Sequence, residues 1–344
     1  MILGAKSNFL PSFIVIFFSI ISISCDNEST VSENYLKING FAQGSTFNII
    51  YDDQRDLSSE INAVLTDFDK ELSTYDTQSF ISKINNSKDS CFSLNDHEWF
   101  ETCFHYAEFF YHETIGKFNP SIYPLVDYWG FYSNTNPRID TNYIRDSILP
   151  LLVLEESFSV VDSGEYSYIC KTNKHAKLDF NAIAQGFSVD VISDLLESKN
   201  IQNYMVEIGG EIRVRGLNHK GELWKIGIER PIDSSHIGEY GFQRIVNLDN
   251  QALATSGNYR KFKTINGNRV SHTLNPLTGY PANNNLLSVS VITDKASTAD
   301  ALATSFMVMG KTKSIAYLNE LETAQFQVYM IYDSLGEYKE WSNY

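Results

Sequence analysis

"VEIGGEIRVRG", residues 206–216, is two short strands joined at Gly209-Gly210. A Gly-Gly pair between two such runs reads as a hairpin turn, since glycine takes the positive φ values of tight turns without steric cost. Similar runs fill the chain on both sides. Strands are expected at 45–51, 157–161, 165–170, 175–180, 203–208, 211–216, 222–229, 243–248, 286–293 and 326–333. Helical spacing is rarer. "LSSEINAVLTDFDKELSTY" (57–75) has Ile61, Val64, Leu65, Phe68 and Leu72 on one face, and helices are also expected at 98–116, 182–197, 297–309 and 312–321. Strand runs interrupted by few helices predict an α+β fold with mixed or antiparallel sheets and packed helices, not a doubly wound sheet. With no repeat, low-complexity run or long linker inside it, 41–340 reads as one domain.

The bulk composition excludes one class of partner. A formal charge of −15 with no basic run argues against nucleic-acid binding, which needs clustered Lys and Arg. An acidic chain still accepts an anionic ligand where a cation or backbone N–H groups neutralise it locally.

The N-terminus addresses location. Lys6 precedes "FLPSFIVIFFSIISIS", about the length of a signal-peptide core and too short and serine-rich for a comfortable membrane span. "SISC" is similar to the lipobox of bacterial lipoproteins, with Ser22 where leucine is more usual. The expectation is a lipoprotein signal peptide over 1–24, a lipid on Cys25 and a polar tether over 25–40. The mature chain is then extracytoplasmic and membrane-anchored, on the periplasmic face of the inner membrane. Cys91, Cys103 and Cys170 are left, an odd number without a C-x-x-C, so neither a zinc site nor a disulfide framework is indicated. Cys91 with Cys103 as a pair, or both as buried thiols, stay open alternatives.

Five stretches, "VEIGGEIRVRG" (206–216) among them, carry residue types that packing alone does not require. "KLDFNAIAQGFSVDVISDLL" (177–196) runs through Asp179 into a helix by way of Ala182, Ala184 and Gly186, small residues that let a ligand approach the backbone. A helix N-terminus offers unpaired N–H groups to phosphate, although Asp179 as a simple N-cap fits equally well. "ALATSGNYRKF" (252–262) leads hydroxyls into a glycine-bearing turn, and "SHTLNPLTGYP" (271–281) sets His272 before two turns. "STADALATSFMVMG" (297–310) places Asp300 and Thr304 at i,i+4, one turn apart on one helical face. Two readings compete there: a capping box with Ser297 as N-cap and Asp300 at N3, or a carboxylate and a hydroxyl that together hold a hard cation.

"LDFNAIAQGFSVD", "VEIGGEIRVRG", "ATSGNYRKF", "SHTLNPLTGYP" and "STADALATSFMVMG", in this order, resemble the ApbE family of flavin transferases. "GSTFNIIY", "LSTYDTQSFISKIN" (72–85) and "GKFNPSIYPLVDYWGF" (116–131) resemble the family's N-terminal half, and the likeness covers about 40–335. The resemblance implies FAD as substrate, Mg²⁺ as cofactor, and transfer of FMN to a Ser or Thr of a partner protein, often a redox-pump subunit, with release of AMP. It implies a metal held by Asp300, Thr304 and the carbonyl of Ala182. It implies FAD contacts at Gln43, Tyr75, Lys117, Phe118, Asn119, Asp179, Gln185 and Leu274, and His272 as general base. This chain departs from the family pattern at Gln43 (commonly Met), Gln185 (commonly Lys or Glu), and Asn119 and Asn275 (frequently Asp). The same site with water as acceptor would hydrolyse FAD to FMN and AMP, and a non-catalytic FAD-binding lipoprotein is the reading from another class.

Overall fold

The computed structural model describes residues 34–133, 138–231, 241–258, 262–265, 268–321 and 326–344. Eight strands form one antiparallel sheet in which every strand neighbours the next in chain order. They are β1 (Tyr35–Ala42), β2 (Ser45–Asp52), β3 (Tyr204–Ile208), β4 (Glu211–Arg215), β5 (Ala252–Gly257), β6 (Leu286–Thr293), β7 (Gln327–Ser334) and β8 (Glu337–Ser342). The expected hairpin at 206–216 is the β3–β4 connection, with Gly209 and Gly210 both at positive φ. All other elements are insertions between sheet neighbours. The long helices are α1 (Ser58–Leu72) and α2 (Glu98–Glu113), then α3 (Ala184–Ser198), α4 (Ala296–Met309) and α5 (Lys311–Glu320).

Side chains alternate across the sheet because strand periodicity is two. On one face Phe47 and Ile49 of β2 and Val206 and Ile208 of β3 pack against Ile61 and Leu65 of α1 and Val189 and Ile192 of α3. On the other, Ile212 and Val214 of β4 and Ile331 of β7 lie under a hairpin, Trp224–Glu229 with Phe242–Leu248, through Trp224, Ile226 and Leu248. β6 is covered on both sides: Val289 and Val291 join the core that α4 closes, while Ile292 faces the hairpin. Burying each such aliphatic side chain contributes about 1.5–3 kcal/mol, so the sheet is a firm base for the helices it carries.

Four expectations change. The 252–262 stretch does not turn at Gly257: Ala252–Gly257 is β5, paired with β6 as far as Gly257 opposite Ser288. The segment 175–180 is no strand: Leu178 exchanges backbone hydrogen bonds with the Asn85 side chain (2.7 and 2.8 Å), and Asp179 N–H donates to Pro120 O at 2.7 Å. Its polar groups are satisfied without a ladder, and the chain there is free to turn into α3. The tether does not reach residue 40, because Tyr35–Ala42 is β1, paired along its length with β2. A Cys91–Cys103 pair is not formed. Cys91 lies opposite Cys170 on adjacent strands of a small sheet and is disulfide-bonded to it, whereas Cys103 is a free thiol that α2 turns into the core. The signal peptide, Cys25 and the tether as far as residue 33 lie outside the described residues, as do Tyr259, Arg260 and Lys261 of the 252–262 stretch.

Candidate functional site

Helices α3 and α4 run antiparallel, and each places a carboxylate at the start of the other. Asp190 of α3 accepts the backbone N–H groups of Ala296 (3.0 Å) and Ser297 (2.9 Å) and the Ser297 hydroxyl (2.7 Å) in the first turn of α4. Asp300 of α4 accepts the N–H of Gly186 at 3.2 Å in the first turn of α3, where that donor has no intrahelical acceptor. The capping box is therefore not built: α4 begins at Ala296, and the hydroxyl of Ser297 serves Asp190. Gly186 is what permits this approach. A Cβ there would lie 2.3 Å from the carbonyl oxygen of Ala296 and 2.9 Å from Asp300 Cβ.

The two acids differ in their partners. Asp190 also meets the guanidinium of Arg213 at 3.3 Å. Asp300 is buried without a paired lysine or arginine among the described residues, and burial pushes its carboxyl up to about 7. One turn on, the Thr304 hydroxyl is 3.0 Å from the hydroxyl of Ser256 on β5. Ala182 lies in the turn that enters α3, four residues before Gly186. Among the described residues no group of three or more His, Cys, Asp or Glu sits together, so any cation at Asp300 would draw its other ligands from hydroxyls, carbonyls, substrate or water.

Two glutamines flank this helix start. Gln185 packs its amide on Gly209 so closely that a Cβ on that glycine would meet it at 2.0 Å. Gln43 stands at φ +53° in the β1–β2 turn and accepts a hydrogen bond from Ser188 at 3.1 Å. Its Nε2 is buried with no partner among the described residues. A buried donor left open is costly unless something else accepts from it.

Asp179, fully buried, sits one turn before Ala182's segment. Its Oδ1 accepts the N–H of Asn181 (2.8 Å) and its Oδ2 the hydroxyl of Tyr132 (2.6 Å), while burial raises its carboxyl above the ordinary range. Tyr75, largely exposed, approaches the Tyr132 ring edge-on at 5.7 Å. The 116–121 segment is tied to Asp179 through Pro120 O. Lys117 there is half-buried, which lowers its pKa, with Lys313 adding repulsion. Phe118 and Asn119 have their side chains committed to the fold. Phe118 is in the core, and Asn119 donates to Leu152 O and accepts from Ser121 N–H, so either could reach a ligand mainly through its backbone.

Leu274 is likewise core, packed with Leu125 and Trp129. Its segment docks on the preceding one: Trp129 donates to Gly279 O at 2.9 Å, and Leu277 lies against Gly116. His272, half-buried, precedes Leu274 on that segment. The structure thus joins Gln43, Ala182, Gln185, Asp300 and Thr304 around the start of α3, and links this cluster by way of Asp179 to Tyr75 and the 116–121 turn. Asp190, Tyr132, Asn181 and Ser256 are participants that the motifs did not single out. Asp190 and Asn181 stand inside the quoted "DFNAIAQGFSVD", but their roles depend on residues more than 45 positions away, Ser297 for one and Tyr132 for the other.

Comparison with known proteins places the same region in one family. The ApbE family model matches residues 43–330. The FAD:protein FMN transferase of Vibrio cholerae is 33% identical over 313 residues, covering 89% of this chain and 90% of that protein. The FAD:protein FMN transferase of Haemophilus influenzae is 30% identical over 315 residues, with 90% and 88% covered. Among solved structures, the flavin transferase ApbE from Vibrio cholerae superposes with a TM-score of 0.75 at 33% identity, covering 90% of this chain and 96% of that one. The apo flavinyl transferase ApbE from Pseudomonas stutzeri does so at 0.76 and 29%, covering 90% and 94%.

Proposed function

Because the chain belongs to the ApbE family, we propose that it is an FAD:protein FMN transferase, moving the FMN half of FAD onto a Ser or Thr hydroxyl of an acceptor protein and releasing AMP. The observation that carries this reading is the buried Asp300 carboxylate, set against the first turn of α3 and one turn from the Thr304 hydroxyl. Such a place suits a pyrophosphate: helix N-termini favour phosphate, and a cation between it and the carboxylate removes the like-charge conflict.

The residues present fit that cation. A buried carboxylate with no basic partner among the described residues, a hydroxyl and a backbone carbonyl are the oxygen donors that Mg²⁺ prefers. Asp300, Thr304 and the carbonyl of Ala182 would hold it. When bound, it offsets the charge that gathers on the pyrophosphate as the phosphoryl group moves. The chain's own groups do the rest. Gln43 Nε2 and Gln185 meet FAD beside the start of α3, and Asp179, Tyr75, Lys117 and the backbone at Phe118 and Asn119 hold it further along. Leu274 contributes from the opposite segment. His272 takes the proton of the acceptor hydroxyl as that oxygen bonds to the FMN phosphorus, and the electron pair of the broken P–O bond leaves with AMP. An imidazole, ordinarily of pKa ~6.5, is suited to that task, and general-base help of this kind is worth about 10²–10⁴-fold.

The location belongs to the same proposal. The Cys91–Cys170 disulfide supports an oxidising, extracytoplasmic compartment, in line with a lipid anchor at Cys25. The test of the activity is direct: the chain from residue 26 is incubated with FAD and Mg²⁺, and AMP is followed by chromatography with an acceptor protein present or absent. AMP formed with acceptor and lost with EDTA is expected. FAD that stays intact in every tube overturns the reading, and AMP released equally without acceptor replaces it by hydrolysis.

A further inference from the structure

Tyr132 follows the motif that ends in "DYWGF" and has no part in the mechanism above. Its hydroxyl has a single proton, and that proton points to Asp179 Oδ2 at 2.6 Å. The same oxygen therefore accepts from its other neighbours, Asn181 Nδ2 at 2.7 Å and the Thr74 hydroxyl at 3.4 Å. Asn181 Nδ2 in turn lies 3.2 Å from Thr74 Oγ1. One proton arrangement satisfies all of these contacts, and it ends on the buried carboxylate. The ring is held as firmly as the hydroxyl. Tyr123 stacks on it at 4.5 Å with 17° between planes, and Tyr75, three-quarters exposed, meets its edge.

We propose that Tyr132 is a positioning residue for FAD: through its hydroxyl it fixes the carboxylate of Asp179, and through its ring it backs the exposed Tyr75. The inference rests on the reading of Asp179 and Tyr75 as FAD contacts. The N–H of Asn181 on Oδ1 restrains rotation of the carboxylate about its Cβ–Cγ bond only in part, and a second hydrogen bond on Oδ2 fixes it. Tyr132 holds it, in the charge-assisted geometry that makes such bonds strong. The nucleotide then finds one orientation of Asp179 and no ordering cost at that position.

Tyr132→Phe removes the proton and keeps the stacked ring. The holoenzyme assay with FAD, Mg²⁺ and acceptor should show KM for FAD raised about tenfold with kcat within about twofold of wild type, the size of one lost charge-assisted hydrogen bond. FAD affinity, read by quenching of flavin fluorescence, should weaken in parallel. The loss should vanish in an Asp179→Asn background, since Tyr132 acts through that carboxylate. An unchanged KM overturns the inference. So does a lower KM, which would mean the phenol competes with the nucleotide, and so does an equal loss in the Asp179→Asn background. A fall in kcat and melting temperature with KM unmoved assigns Tyr132 a purely structural role. Wild-type protein that neither binds FAD nor forms AMP removes the FAD reading itself, a failure visible before any variant is made.

Discussion

Asp300 illustrates how a single residue can be held in an unfavourable state for use. A carboxylate in an unfolded chain ionises near 3.9, whereas burial lifts Asp300 to about 7 in the folded protein without metal. The linkage has a definite sign. A group whose folded pKa is raised favours the folded state below the unfolded value, and that favour is lost as pH rises through the folded value. In EDTA, wild-type protein should therefore lose stability relative to Asp300→Asn between about pH 4 and pH 7, with the variant the more stable at pH 8. Thermal melts of both across that range check this, and a gap that does not vary with pH contradicts it. Added Mg²⁺ should narrow the gap at pH 8, because it stabilises the ionised form that burial penalises.

At the scale of elements, the site is a helix pair more than a set of side chains. Asp190 and Asp300 each serve the start of the partner helix, and Gly186 sets how near the two helices come. Gly186→Ala puts a methyl against the backbone of Ala296, which cannot swing away as a side chain would. We expect a cost of about 1–3 kcal/mol in chemical denaturation, together with weakened Mg²⁺ binding in titration calorimetry. Wild-type stability and affinity in this variant would show that the close approach is unnecessary. The pair also marks where sequence reasoning stops. The i,i+4 spacing of Asp300 and Thr304 is visible in the chain because helix geometry is local. The capping-box alternative was local too, and it failed because Ser297 found a better partner in Asp190, 107 residues away.

For the whole molecule, β2, β3, β4, β6 and β7 follow from patterns that strands display on their own, alternation and glycine turns, whereas β1, β5 and β8 lie in stretches that the sequence did not mark as strands. Cys91 and Cys170 are different. Their pairing depends on strand register across 79 residues, which no local pattern reveals. Closing a loop of that length restricts the unfolded chain, so Cys91→Ser with Cys170→Ser should lower stability by about 2–4 kcal/mol in urea titrations. Reduction of the wild type should match it, and a double variant as stable as wild type would contradict that role. Tyr132 was hidden for the same reason as the disulfide: its three polar partners come from Thr74, Asp179 and Asn181, all remote in sequence.

The central claim, that the Asp300 site drives transfer of FMN from FAD to protein, is tested most directly by the mass of the acceptor. Acceptor protein, FAD and Mg²⁺ are incubated with wild type or with Asp300→Asn, and intact-protein mass spectra are recorded over time. The account predicts that wild type adds one FMN, joined as a phosphoester, and that Asp300→Asn does so about 10²–10³-fold more slowly while remaining folded. Flavin added by the variant at the wild-type rate would contradict it.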